Sequence, residues 1–361
     1  MGDIKFMKRC IDLASKGLGY TYPNPLVGSV IVHDNKIIGE GYHAKYGESH
    51  AEVNAINSVG NKELLRESTL YVNLEPCNHH GKTPPCTEAI INNNIKRIVI
   101  GSRDPNRLVD GSGIDKLRSS GCDVVVGVME LECSNLNKRF FKYHKNKRPY
   151  IILKWAESKD GFISPLKSNT SPRKVNWISG ENSKKLNHKW RSEEHSILVG
   201  VQTIIDDDPL LTTRFVDGKN PIRFVLDPNS RIPIDSKVLS QASKTIILSK
   251  KENNLIPNYT KSSNFENIQK IIESLYDMKI QSVLIEGGTK TINHFLNNDS
   301  WDSIRVFKSN KNITDGIRSP DVDLSKFSKS DIGDDILYDC LLYTSDAADD
   351  TPCVDLGGRR I

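Results

Sequence analysis

Short apolar strands alternate with amphipathic helices along almost all of this chain, and the alternation breaks once. Before the break, VGSVIVH (27–33), a turn at 34–36 and IIGEGYH (37–43) read as a hairpin. TLYVNLEPC (69–77), KRIVIGS (96–102) and CDVVVG (122–127) follow as strands. Helical spacing marks the stretches near 4–14, 51–59, 85–93, 113–119 and 130–144. After the break, strands are predicted at 150–157, 196–200, 222–227, 244–249, 282–288 and 303–308. Helices are predicted at 181–193, 265–278 and near 290–297. Strands separated by helices return mostly parallel, because parallel pairing needs a long crossover, so each half predicts an α/β layer fold. The break itself, YHKNKRP (143–149), is basic, aperiodic and ends in proline, which predicts a linker. The expected domains are therefore 1–145 and 146–338.

A length of 361 residues suits two such cores. The last stretch, CLLYTSDAADDTPCVDLGGRRI (340–361), carries neither periodicity, and 339–361 is expected to be a non-native or disordered tail without function. That removes Cys340 and Cys353 from the seven cysteines. An odd number without a dense framework favours reduced thiols or metal ligands over disulfides. Cys10, Cys122 and Cys133 lie inside element patterns, where buried structural thiols are expected.

Lys and Arg are scattered and the formal charge is only +5, so no basic stripe for a nucleic-acid backbone is visible. The N-terminus mixes charges among its apolar residues, unlike a signal peptide, and Phe6 stands where myristoylation wants Ser or Thr. No run approaches the roughly 18 apolar residues of a membrane span. These features predict a cytoplasmic protein with no nucleic-acid partner and no membrane partner.

Chemistry enters with His50-Ala51-Glu52 at the start of one predicted helix, Glu75-Pro76-Cys77 at the end of a strand, and Cys86. His50, Cys77 and Cys86 offer one nitrogen and two thiolates. Three protein ligands leave a tetrahedral zinc one position for water, as a catalytic site requires. Glu52 can reach that water without binding the metal and is the candidate proton carrier. The order matches the H-x-E…P-C-x-x-C pattern of nucleobase deaminases, except that eight residues separate the cysteines instead of two.

PNPLVGSVIV (23–32), GYHAKYGESHAEVNAI (41–56) and LEPCNHHGKTPPCTEAII (74–91) together resemble the bifunctional riboflavin-biosynthesis deaminase/reductase family, widened cysteine spacing included. The resemblance implies a cytidine-deaminase-like three-layer domain binding one zinc ion, and places substrate contacts at Asn24, Val27, Gly28, His43, His80, Lys82 and Thr83. Pro23-Asn24-Pro25 also reads as a simple turn, and Val27 as core.

No G-x-G-x-x-G follows the first strand of the second half, so a Rossmann fold is not expected. LKWAESKDGFIS (153–164), WIS (177–179), HKWRSE (188–193), ILVGVQTIIDDDPLLTTR (197–214) and VLIEGGTKTINHFL (283–296) resemble the reductase domain of the same family instead. That domain has a dihydrofolate-reductase-like fold and takes NADPH. Position by position, the resemblance implies cofactor contacts at Glu157, Trp177, Thr203, Gly288, Thr289, Lys290, Thr291, Ile292, Asn293 and His294. It implies substrate contacts at Arg191, Asp207, Leu211, Arg214 and Glu286, with both arginines suited to a ribose phosphate. Lys154 and Asp160 flank this site and receive no chemical step.

The implied function is hydrolytic deamination of a phosphorylated diaminopyrimidine followed by NADPH-dependent reduction of its ribosyl group to a ribityl chain. An alternative keeps the deaminase and gives the second half only ligand binding. A tRNA or free-nucleoside deaminase predicts the short cysteine spacing, which this chain lacks. The sequence is silent on oligomeric state, although members of the family commonly assemble, which leaves a homo-oligomer open.

Overall fold

A computed structural model describes residues 2–81, 84–106, 109–167, 173–250, 259–261 and 267–342. The chain forms two compact units, Met1–Arg148 and Pro149–Ile361.

The first unit runs α1 (Gly2–Ser15), β1 (Gly28–His33), β2 (Lys36–Tyr42), α2 (Ala51–Ser58), β3 (Thr69–Leu74), α3 (Cys86–Asn92), β4 (Arg97–Ser102), α4 (Ser112–Ser119), β5 (Asp123–Val126), α5 (Glu130–Leu136) and α6 (Lys138–Asn146). Its sheet has the order β2-β1-β3-β4-β5. The hairpin edge is antiparallel, and β3, β4 and β5 are parallel. Asp34 and Asn35 make the hairpin turn with positive φ, a conformation that short polar side chains tolerate.

Alternation along the strands builds three layers. Val30, Val32, Tyr71 and Val99 face Phe6, Met7, Cys10 and Leu13 of α1 and Cys133 of α5. Ile31, Leu70, Val72, Ile98 and Ile100 face Ala55 and Ile56 of α2, Ile90 of α3, and Ile114 and Leu117 of α4. Cys10, Cys122 and Cys133 are all buried, as expected.

The second unit comprises β6 (Tyr150–Glu157), β7 (Phe162–Pro165), α7 (Glu181–Glu193), β8 (Ser196–Gly200), α8 (Val201–Asp207), β9 (Ile222–Leu226), β10 (Thr245–Ser249), β11 (Tyr259–Lys261), α9 (Ile268–Asp277), β12 (Ser282–Gly287), α10 (Thr289–Leu296), β13 (Ser303–Lys308), β14 (Gly316–Arg318), β15 (Ser328–Ile332) and β16 (Asp335–Leu341). Nine strands form one sheet, β11-β10-β9-β8-β12-β6-β13-β16-β15, parallel except for β16, which runs antiparallel to both β13 and β15, and β7 pairs antiparallel with β14. Leu153, Leu198, Phe224 and Ile285 pack on one face under α9 and α10. Ile197, Val199 and Val225 pack on the other beside α8, and Ile152, Leu284 and Phe307 beside Trp190 of α7.

Three boundaries depart from expectation. The helix predicted over 130–144 is broken at Asn137, whose buried amide takes both the N–H and the C=O of Leu26. A side chain committed to another backbone segment cannot sit on a smooth helix face. The linker is shorter than expected, because α6 continues to Asn146. The final strand runs on to Leu341, with Cys340 buried in the core, so 339–341 belong to the sheet; 343–361 lie outside the described residues. Among the described residues, no helix is long and apolar enough to cross a membrane.

Candidate active sites

In the first unit, β3 ends at Leu74 and the chain leaves the sheet to present Cys77, while His50 precedes α2 and Cys86 opens α3. The His50 Nδ1 atom lies 3.2 Å from Cys86 Sγ and 3.5 Å from Cys77 Sγ. All three ligand atoms fall within 4.8 Å of one another. Zinc bound at ordinary Zn–N and Zn–S lengths in a tetrahedron separates such atoms by about 3.5 Å. The donors therefore fit a zinc ion. Hydrogen bonds from the Cys86 thiol and from His50 hold Cys77 down to about 4, so a thiolate is ready for a metal.

Glu52 follows on the first turn of α2, buried, and burial first, then the charge of Cys77, raises its pKa. Its place two residues from the ligand His50 suits a carboxyl that takes and returns a proton.

The wide cysteine spacing is accommodated by pinning the loop at its base. The Cys86 N–H points to Cys77 Sγ at 3.4 Å, the Thr87 N–H bonds Cys77 O, and Thr87 Oγ1 bonds Asn78 Oδ1 at 3.0 Å. Glu75, which the sequence shows beside Pro76-Cys77 without a role of its own, is the other anchor. Its buried carboxylate accepts backbone N–H bonds from Asp104, Gly111, Gly113 and Ile114, tying the cysteine-bearing segment to the start of α4. At Gly113 an added Cβ would lie 2.1 Å from Pro76 O. The signal for Glu75 was a carboxylate directly after a buried strand, where it must find donors.

Asn24 and His43 meet beside the metal ligands. His43 donates Nδ1–H to Ser49 O, so its Nε2 accepts from the Asn24 amide at 3.1 Å. Burial keeps His43 neutral, and its ring stands edge-on to His50. Val27 is half-buried against the core. Gly28 has a packing role: a Cβ there would lie 2.1 Å from Cys10 O, so glycine lets α1 lie on β1. His80 lies on the surface against Glu88. Lys82 and Thr83 lie outside the described residues.

In the second unit a cavity of about 720 Å³ opens along the C-terminal ends of β6, β8 and β12. It gathers most of the expected residues: Trp177, Arg191, Thr203, Asp207, Leu211, Arg214, Glu286 and Gly288 through Ile292. Thr203 Oγ1 holds the Gly288 N–H at 3.1 Å, at the mouth of α10. The first amides of a helix have no intrahelical acceptor, which suits a phosphate.

Several of the expected contacts have partners within the protein or lie off the cavity wall. The Arg191 fork meets Glu286, at 2.8 and 2.7 Å, with both side chains 7% exposed, so part of its donor set is spent inside the protein. Asp207 pairs with Lys167 at 2.6 Å. Glu157 turns into the protein, bonding Trp155 Nε1 and Lys308, and is absent from the cavity wall. Asn293 and His294 are likewise off that wall, one helical step past Ile292. Arg214, by contrast, is exposed, with no ion pair among the described residues. Burial would raise Glu286, but Arg191 and Lys154 hold it at about 2. Asp160 ties loops together by accepting from Ser158 and from the amides of Ile313 and Thr314.

Comparison with known proteins accords with both sites. Residues 1–102 match the cytidine and deoxycytidylate deaminase zinc-binding region, and residues 149–311 match the RibD C-terminal domain. The riboflavin biosynthesis protein RibD of Aquifex aeolicus is 42% identical over 336 residues, covering 91% of this chain and 92% of that protein. The solved diaminohydroxyphosphoribosylaminopyrimidine deaminase/5-amino-6-(5-phosphoribosylamino)uracil reductase of Thermotoga maritima superposes with a TM-score of 0.83 at 37% identity, covering 94% of this chain and 98% of that one. Acinetobacter baumannii RibD gives 0.84 at 30% identity, with the same coverage. With a zinc-binding deaminase unit followed by a reductase unit, this chain belongs to the RibD family of bifunctional riboflavin-biosynthesis enzymes.

Proposed function

We propose that the first unit hydrolyses an amino group of 2,5-diamino-6-ribosylamino-4(3H)-pyrimidinone 5′-phosphate, and that the second then reduces the ribosyl group of the resulting uracil with NADPH, in the cytoplasm. The observation that carries the first step is the convergence of His50, Cys77 and Cys86 within 4.8 Å beside a buried carboxyl. These three residues hold zinc, which when bound lowers the pKa of water to about 7 and so supplies a nucleophile at neutral pH. Glu52 carries one proton of the attacking water to the ring nitrogen and then the second, given up as the carbonyl forms, to the departing ammonia. Asn24, fixed through His43, offers its free oxygen to the pyrimidine.

For the second step NADPH supplies hydride to C1′ of the sugar. The amides opening α10 face a cofactor phosphate, with Thr203 bracing Gly288. Arg214 binds the ribose phosphate, and Glu286, kept ionised by Arg191, faces the substrate. Replacing Glu52 by Gln puts a carboxamide of nearly the same size in place of the carboxyl and so removes the proton carrier. The variant is expected to retain about one zinc per chain, measured by metal analysis, while ammonia release falls by at least about 10²-fold; normal deamination removes the assignment.

A further inference from the structure

Asn187 lies on α7, one turn before Arg191, 3% exposed and on the wall of the second unit's cavity. Its amide Nδ2 is 3.4 Å from Glu286 Oε2. Glu286 is ionised at neutral pH and can only accept, which turns the nitrogen of the carboxamide towards it and the oxygen away. That oxygen, Asn187 Oδ1, is buried and has no hydrogen-bond partner among the described residues. The Arg191 guanidinium one turn on bonds Glu286 and Thr212 O instead. A buried acceptor without a partner is costly and calls for an explanation.

We propose that Asn187 is a specificity-determining residue of the reductase pocket, its Oδ1 accepting a hydrogen bond from an N–H of the pyrimidine. This rests on the reading of the second unit as a pyrimidine reductase. Glu286 and Asn187 place two acceptors side by side on the wall, and an aminopyrimidinedione carries N–H donors at neighbouring positions. The nicotinamide ring carries N–H only on its carboxamide, so the pyrimidine is the better match.

The test is Asn187→Leu, which keeps the branched four-atom skeleton of the side chain without its polar atoms, in the full-length enzyme. The assays are NADPH oxidation with the deaminated ribosylaminopyrimidine phosphate, ammonia release, and thermal unfolding. The KM for the pyrimidine is expected to rise about tenfold. The KM for NADPH and the ammonia-release rate are expected to stay within twofold, and Tm to shift little, because loss of the unsatisfied oxygen offsets loss of the long hydrogen bond to Glu286. A pyrimidine KM within twofold of wild type overturns the assignment, as does a rise confined to NADPH. A fall in Tm with both KM values rising together marks a merely structural asparagine and overturns it too. A wild type that oxidises no NADPH with this pyrimidine overturns the reductase reading along with it, whereas an active wild type with an unaltered variant removes Asn187 alone.

Discussion

Replacing Arg191 by Met tests the electrostatics of the second unit directly. The change leaves the stem of the side chain and removes the guanidinium that meets Glu286 through two bonds of 2.8 and 2.7 Å. Both partners are 7% exposed, so water cannot substitute for the lost charge. Breaking a buried pair from one side costs about 3–5 kcal/mol. Lys154 still attracts Glu286, which puts the expected loss near the lower end, about 3 kcal/mol. The Glu286 pKa points the same way: against burial, Arg191 first, then Lys154 and Asn187, hold it at about 2. For a unit of this size a loss of about 3 kcal/mol is a drop of roughly 6–12 °C in its unfolding transition, read by calorimetry at pH 7. Because the folded pKa is depressed, the contribution is full above about pH 4.5 and disappears as pH falls through about 2. The gap between variant and wild type should therefore narrow with acid. Adding Glu286→Gln to the variant should recover part of the loss, since the uncompensated carboxylate is removed and only Lys154 then lacks its counter-charge. A loss below about 1 kcal/mol, or a double variant no more stable than the single, would refute the reasoning.

Three further outcomes are expected. Arg214→Ala should raise the reductase KM for the phosphorylated substrate about 10–100-fold, as loss of a charge-assisted bond implies, and leave the KM of the unphosphorylated analogue unchanged; equal effects on both discard its phosphate role. Gly113→Ala forces a methyl group onto Pro76 O at 2.1 Å, so α4 must retreat from the cysteine-bearing segment; chelator competition should then show zinc held about 10–100-fold more weakly, and undiminished affinity would count against the Glu75 anchor. Stripping zinc with a chelator should abolish ammonia release while NADPH oxidation with the preformed uracil continues; joint loss would deny that the chemistries are separate.

Much of the fold was legible because its elements obey the two periods that burial imposes. The helix over Glu181–Glu193 and the strands Tyr150–Glu157 and Ser303–Lys308 fall where apolar spacing put them. Strand β15, SKSDI, was missed because its residues are polar and largely exposed, so no alternation marks it. The break at Asn137 was invisible because its cause is Leu26, far away along the chain. Arg191 and Asp207 read as free substrate contacts because an isolated arginine or aspartate does not name its partner; Glu286 and Lys167 reach them from other elements.

What the sequence by itself determined is chemistry of kind and order: an imidazole, a carboxyl two residues on, two thiols after a strand, and two layered α/β halves. Residue type sets which atoms can bind zinc or move protons, and periodicity sets which faces are buried. Only the tertiary structure decided which of those groups are engaged. Packing alone brings Glu75 to the amides of α4, closes Arg191 onto Glu286 and leaves one buried oxygen of Asn187 without a partner. A hydrogen bond depends on distances of a fraction of an ångström between segments that meet only when the chain has folded.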